Sequence, residues 1–128
     1  MELHRYDIVE ADLKFQNRPG SIQHKKRPYI IVSNDCGNTN ATIITVMPLT
    51  HIIKKKNMPV HGCLQAKSDN GLSCYSMVLG EQPQTISKQE VIRKLGTVVD
   101  NKQKNIINKV CFNTFFYGEE INWEEVMR

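Results

Sequence analysis

Apolar residues in this chain fall into short clusters, and through the first hundred residues the clusters have the length and composition of β-strands. In "DIVEADL", Ile8 stands between polar neighbours, the alternation of a short half-buried strand. "YIIVSN" is a β-branched run ending in the Asn-, Asp- and Gly-rich cluster "NDCGN", which predicts a turn over 34–40. "ATIITVMPL" follows, and the runs at 28–33 and 42–49 predict a hairpin. A second pair is predicted from "HGCLQA" and "CYSMVLG", separated by "KSDNG" with the turn dipeptide Asn70-Gly71. Ser87-Lys-Gln-Glu90 has the spacing of a capping box and predicts a short helical turn, after which "GTVV" reads as one more strand.

The period changes once. From the N-cap candidate Asp100 to the stop at Gly118, Ile106, Ile107, Val110, Cys111, Thr114 and Phe115 recur at intervals of three and four, which predicts a buried helical face over 101–117. The acidic, amphipathic "EEINWEEVMR" at 119–128 then forms a tail on a single domain of residues 1–118. Five to seven short strands with one terminal helix predict a mainly β fold, a small and strongly bent sheet or partly closed barrel. In such folds the long excursions between strands carry the chemistry. Two stand out, 14–26 and 50–58, and pairing of the first two apolar runs would bring Arg27 and Thr50 to the same end of one hairpin.

Charge sharpens this picture. Residues 14–56 hold eight basic side chains (Lys14, Arg18, Lys25, Lys26, Arg27, Lys54, Lys55, Lys56) against Asp35 alone, whereas 57–128 balance. All the excess positive charge thus lies on the two excursions, and a polyanion is the expected partner. No run approaches the roughly 18 apolar residues of a membrane span, so no membrane association is expected. The acid-bearing start "MELHRYDIVEADL" lacks the apolar block of a secretory signal and predicts a cytoplasmic protein. Cys36, Cys63, Cys74 and Cys111 are widely spaced, with no CxxC pair and no histidine at a metal-binding interval. Reduced, mostly buried thiols are expected, with no zinc site and no cofactor.

The blocks "YDIVEADL", "GSIQHKKRPYIIVSND", "TVMPLT", "MPVHGCL" and "MVLGEQPQTISK" resemble, in order, those of the MazF/PemK-type toxins of bacterial type II toxin–antitoxin systems, over about 6–118. The resemblance implies an SH3-like barrel with a C-terminal helix, a homodimer, and sequence-specific cleavage of single-stranded RNA without a metal. It also implies an antitoxin partner, one segment of which covers the RNA groove. The arginine of the family's R-P step falls on Arg27 and the threonine closing the P-L-T block on Thr50, the positions similar to the catalytic pair. Ser21 and Gln23 match polar residues of the first loop; Glu81 and Gln82 match the start of the E-Q block. Where the family often has Glu and a Gly pair before the arginine, this chain has Ile22 and His24-Lys25. Where arginine and aspartate are common after the E-Q step, it has Gln84 and Ser87.

Metal-free cleavage sends the ribose 2′-oxygen into the adjacent phosphorus and expels the 5′-oxygen, leaving a 2′,3′-cyclic phosphate and a 5′-hydroxyl. The reaction needs a proton removed, donors on the phosphorane oxygens, and a proton delivered. Arg27 suits the second task, since its planar fork stays charged and grips two phosphate oxygens together. The Thr50 hydroxyl can donate to the same phosphate or orient the 2′-hydroxyl. His24 and His51, next to these two in sequence, are candidates for proton transfer; the competing role for each is a hydrogen bond to loop backbone or a phosphate contact. Lys25, Lys26, Lys54, Lys55 and Lys56 form a candidate track for backbone phosphates, against the alternative of a solvated loop surface. His4 and His61 are expected to be structural, and Tyr75, Phe112, Phe115 and Phe116 to pack in the core or a dimer. Two other functions fit a barrel of this kind: a non-enzymatic, gyrase-binding toxin similar to CcdB, and a catalytically silent RNA-binding member of the same family.

Overall fold

Among the described residues, seven strands and three short or medium helices follow in the order Asp7–Ala11 (β1), Arg27–Ile31 (β2), Asp35–Asn40 (α1), Ile43–Thr50 (β3), His61–Leu64 (β4), Ser76–Leu79 (β5), Gln84–Ser87 (β6), Val91–Thr97 (β7), Asn101–Phe116 (α2) and Trp123–Val126 (α3). This structure, a computed structural model, describes residues 1–13 and 26–128. The expectations for Ser21, Gln23, His24 and Lys25 lie outside the described residues.

The strands form one antiparallel sheet in the order β4-β5-β3-β2-β1-β7, with β6 pairing a different stretch of β3. β3 is the spine. Its first half pairs with β6, its middle with β2 and its last two residues with β5. One strand serving three partners bends the sheet, giving a barrel-like fold that stays open between β4 and β7 among the described residues.

Both faces of the central strands β2 and β3 are largely buried, which explains why these two read as near-continuous apolar runs. Ile8, Ile30, Met47 and Leu49 turn to one side, where they meet Val98 and, from α2, Ile107 and Val110. Val9, Ala11, Tyr29, Ile31, Ile44 and Val46 turn to the other and pack with Leu3, Leu13, Ile86 and Val91. Helix α2 lies so close to β4 and the end of β5 that a Cβ at Gly62 would meet Ile106 and Val110 at 2.7 Å, and one at Gly80 would sit 2.5 Å from Val110 Cγ1. Glycine at these two positions lets the helix close that side of the fold.

Both predicted strand pairs exist, as do the capping box at Ser87–Glu90 and the Asp100 cap of the long helix. Several expectations are corrected. "NDCGN" is not a turn but the start of α1: the Asn34 side chain accepts the Gly37 N–H at 2.9 Å, and asparagine caps helices as readily as it makes turns. "GT" only ends a strand that begins at Val91, and β6 was missed, because "QTIS" and "VIRKL" carry too few apolar residues to signal strands. The buried face of α2 is narrower than its periodicity suggests: Ile107 and Val110 are buried with Gln103, Ile106 and Cys111 half-buried, and Phe115 exposed. Tyr75, Phe112, Phe115 and Phe116 are all exposed on the single chain, so none packs in its core. The thiols are free but not mostly buried: Cys36 and Cys74 are exposed, Cys63 and Cys111 half-buried.

The connection from β4 to β5 is an eleven-residue excursion pinned by one buried side chain, rather than a tight turn. Asn70, 0% exposed, accepts the N–H groups of Lys67 and Leu72 at 3.1 and 3.0 Å and donates to the Gln65 carbonyl at 2.9 Å and to Gln103 Oε1 at 3.2 Å. Gly71 follows with φ of 74°, a left-handed conformation that glycine adopts without a Cβ penalty. A polar group so fully satisfied in the interior fixes the excursion in one shape.

Candidate active site

The register of the central hairpin sets the site. Tyr29 lies opposite Pro48 and Ile30 opposite Met47; continued by two residues, that register sets Arg27 opposite Thr50. Both side chains line one cleft of about 460 Å³, together with Lys26, His51, Glu10, Arg93 and the wall formed by Gly71, Leu72, Ser73 and Cys74. The two ends of the hairpin therefore deliver a guanidinium and a hydroxyl to the same cavity.

Each is held for donation. Thr50 is 9% exposed, and its Oγ1 accepts the Ile52 N–H at 3.1 Å. That bond occupies an oxygen lone pair and leaves the O–H free to donate into the cleft. Arg27 is half-buried, and its buried Nε has no hydrogen-bond partner among the described residues. A buried donor without an acceptor is costly in an isolated chain, and an anion in the cleft would relieve that cost.

Two charged cleft residues were not foreseen. Glu10 and Arg93 are opposite one another in the β1–β7 pairing, and Arg93 Nε donates to Glu10 Oε1 at 3.2 Å. The Lys26 ammonium lies 3.8 Å from the same oxygen. The available signal was strand pairing between residues more than eighty apart, hidden because β7 was read too short. Ser73 and Cys74 were missed for a similar reason, since only the Asn70 anchor folds their excursion toward the hairpin end.

Other candidates are placed elsewhere. Lys54, Lys55 and Lys56 are exposed on the loop that leaves Thr50, beside the cleft but not among its lining residues. Glu81 and Gln82 are also outside the lining. The Glu81 carboxylate faces His61 instead, with Nε2 at 2.9 and 3.0 Å from its two oxygens. Gln84 is buried in β6, and Ser87 caps the helical turn after it, accepting the Gln89 N–H at 3.2 Å. An aspartate at that position would cap equally well, so the departure at Ser87 leaves the cleft untouched. Among the described residues, no three or more His, Cys, Asp or Glu side chains group as a metal site.

A family model described as the PemK-like, MazF-like toxin of type II toxin–antitoxin systems matches residues 4–113. The chain belongs to this family. The matched region runs from just before β1 into α2 and includes Glu10, Arg27, Thr50 and Arg93. A protein of Staphylococcus saprophyticus named endoribonuclease MazF is 33% identical over 108 residues, covering 84% of this chain and 88% of that one. Among solved structures, an endoribonuclease from a mycobacterial species in complex with its cognate antitoxin superposes with a TM-score of 0.68 at 23% identity, over 88% of this chain and 93% of its own. MazF from Deinococcus radiodurans gives 0.66 at 18% identity, over 86% and 94%. At these identities the structural likeness carries the fold: this PemK/MazF-type chain has the barrel-like architecture of the MazF toxins.

Proposed function

We propose that this PemK/MazF-type toxin is a metal-independent, sequence-specific endoribonuclease acting on single-stranded RNA, working as a cytoplasmic homodimer restrained by a cognate antitoxin. The observation that carries the reading is the convergence of Arg27 and Thr50 in one cation-lined cleft. The name of the staphylococcal relative and the antitoxin in the mycobacterial complex support it from outside the chain.

In the proposed reaction the substrate's 2′-oxygen attacks phosphorus as the bond to the 5′-oxygen breaks. Arg27 donates to the non-bridging oxygens, whose negative charge grows toward the phosphorane, and its fixed fork needs little reorganisation as that happens. Thr50 donates its free O–H to the same phosphate or to the attacking oxygen. His51, exposed at the cleft, is the described histidine placed to carry a proton there. Lys26, Arg93 and the exposed lysines 54–56 hold the flanking phosphates. An acidic antitoxin segment would seek the same cations, so inhibition is competition for one surface.

The test is incubation of purified protein with a long transcript in EDTA, with fragment ends mapped. Discrete fragments carrying 5′-hydroxyls, lost with Arg27→Ala, are expected. Retention of RNA without cutting would instead make the chain a silent binder, and inhibition of gyrase without RNA binding would make it a CcdB-like toxin.

A further inference from the structure

We infer that His61 and Glu81 are positioning residues that brace the lysine loop against the sheet, so that Glu81 serves RNA binding through His61 and not by touching RNA. The inference rests on the proposal that Lys54–Lys56 contact RNA. The loop runs from Thr50 to His61, and its middle is unusual: Lys55 has φ of 53°, in the left-handed region that a non-glycine residue enters only when its surroundings hold it there. What holds it is its own carbonyl. That oxygen accepts the Met58 N–H at 3.1 Å and lies 2.9 Å from Nδ1 of His61. His61 is 5% exposed, and its N–H donates to the Met58 carbonyl at 3.0 Å.

The other ring nitrogen, Nε2, is gripped by both Glu81 oxygens. A backbone carbonyl and a carboxylate are both acceptors, so the ring bonds to the two at once only with a hydrogen on each nitrogen. Glu81 follows β5, and His61 opens β4, whose pairing sets it opposite Leu79. Two strands of the sheet thus grip the apex of the loop through one buried ring. The C-terminal half of the loop is further tied to α2, where Asn113 Nδ2 donates to the Pro59 carbonyl at 2.9 Å. An exposed loop of three lysines would otherwise lose considerable conformational entropy on binding a phosphate chain; the brace removes part of that cost beforehand.

The geometry separates a charge that touches RNA from a charge that orients a ring. In Glu81→Gln the amide can donate to Nε2 while Nδ1–H donates to Lys55, so a neutral ring keeps the brace. Glu81→Ala removes the orienting partner, and His61→Phe fills the same volume without either nitrogen. The measurement is RNA cleavage and binding over a salt series for these three variants, with K54A, K55A and K56A combined as the reference. Loss of one charge-assisted hydrogen bond predicts KM raised about tenfold in His61→Phe and Glu81→Ala, with kcat within about twofold of the parent. Their log–log salt slope falls toward that of the lysine reference, which itself drops by up to about 0.7 per lost contact. Glu81→Gln stays near the parent, and in His61→Phe the Met58 amide exchanges faster with solvent. If His61→Phe does not fold, Glu81→Ala decides the question.

Parent-like KM and salt slope in Glu81→Ala and His61→Phe overturn the inference, as does a fall in kcat at constant KM. Equal damage from Glu81→Gln and Glu81→Ala overturns it in favour of direct contact between the Glu81 charge and RNA. A lysine reference that binds like the parent would refute the RNA track itself, and the brace with it. A weakened reference beside intact brace variants refutes only the brace.

Discussion

Replacing Thr50 with valine removes one oxygen and almost nothing else. Valine keeps the volume, the branching at Cβ and the strand preference, so β3 and its pairing with β5 should persist. Two interactions go. The Ile52 N–H loses its acceptor at 3.1 Å, a partly buried bond worth about 1 kcal/mol, which in a domain of this size lowers Tm by about 4 °C. The cleft also loses the O–H proposed to donate to the reacting phosphate, and one preorganised donor of that kind is worth about 10²–10³ in rate, or roughly 2.7–4 kcal/mol of barrier. The second loss is the larger, so activity should collapse in a protein that remains folded well above assay temperature. Thr50→Ser restores both bonds and should recover most of the rate. Single-turnover cleavage of an end-labelled RNA in EDTA, beside a thermal melt, reads both quantities. A Thr50→Val protein cutting within threefold of the parent would remove Thr50 from the chemistry; a serine variant as inactive as the valine would show that the hydroxyl alone does not account for the loss.

Other consequences are open to simpler assays. Asn70→Ala leaves the buried N–H groups of Lys67 and Leu72 without acceptors and should cost about 2–4 kcal/mol in urea unfolding; a parent-like midpoint would mean the excursion is held by something else. Maleimide should label Cys36 and Cys74 first and Cys111 last, because burial pushes the Cys111 thiol up; RNA should protect Cys74 at the cleft but not Cys36, and absence of that difference would take the cleft out of the RNA path. Asp35 is held below its ordinary value of 3.8, chiefly by the Arg5 backbone N–H at 2.6 Å. Its folded value is the lower one, so its contribution is complete above the unfolded value and fades as pH falls through the folded one. Asp35→Asn should therefore be less stable than the parent at pH 7, with the gap closing in urea titrations toward pH 3 and constant only if the bond is irrelevant.

The hairpin that carries the site was legible because its information is local: two β-branched runs, a polar connector, and an arginine and threonine just outside the paired segments. The same locality exposed the capping box at Ser87 and the Asp100 cap. Residues whose meaning comes from a distant partner were not legible. Arg93 becomes a cleft residue only because β7 lies beside β1, and β7 carries three exposed residues in a row after Val91. Phe115 follows the helical period of Ile107 and Val110, yet α2 approaches the sheet through a stripe narrowed by Gly62 and Gly80, and the phenylalanine falls outside it. Periodicity identifies a helix and its apolar side; how much of that side is covered depends on what it meets. Glu81 is a similar case, since its fit to a family motif says nothing of His61 twenty residues earlier, which its carboxylate faces.

Glu10 adds a constraint on how a polyanion would lie in the cleft. It is the one carboxylate among the described lining residues, and both of its cation contacts, Arg93 at 3.2 Å and Lys26 at 3.8 Å, converge on a single oxygen. A cleft of cations alone would attract phosphates in any register, and most of them would be unproductive. With Arg93 and Lys26 partly neutralised, Arg27 is left as the cation with a buried donor still unpartnered among the described residues, next to the free Thr50 hydroxyl. The deepest well for an anion then coincides with the place where the reaction is proposed to occur. The partners of Glu10 are mostly exposed, at 65% and 58%, and such pairs are worth at most about 1 kcal/mol, so flanking phosphates can displace the carboxylate once the scissile one is seated. An acidic antitoxin segment gains most by the same route, placing a carboxylate against Arg27, which would make the residue proposed to steady the phosphorane also the one most readily blocked.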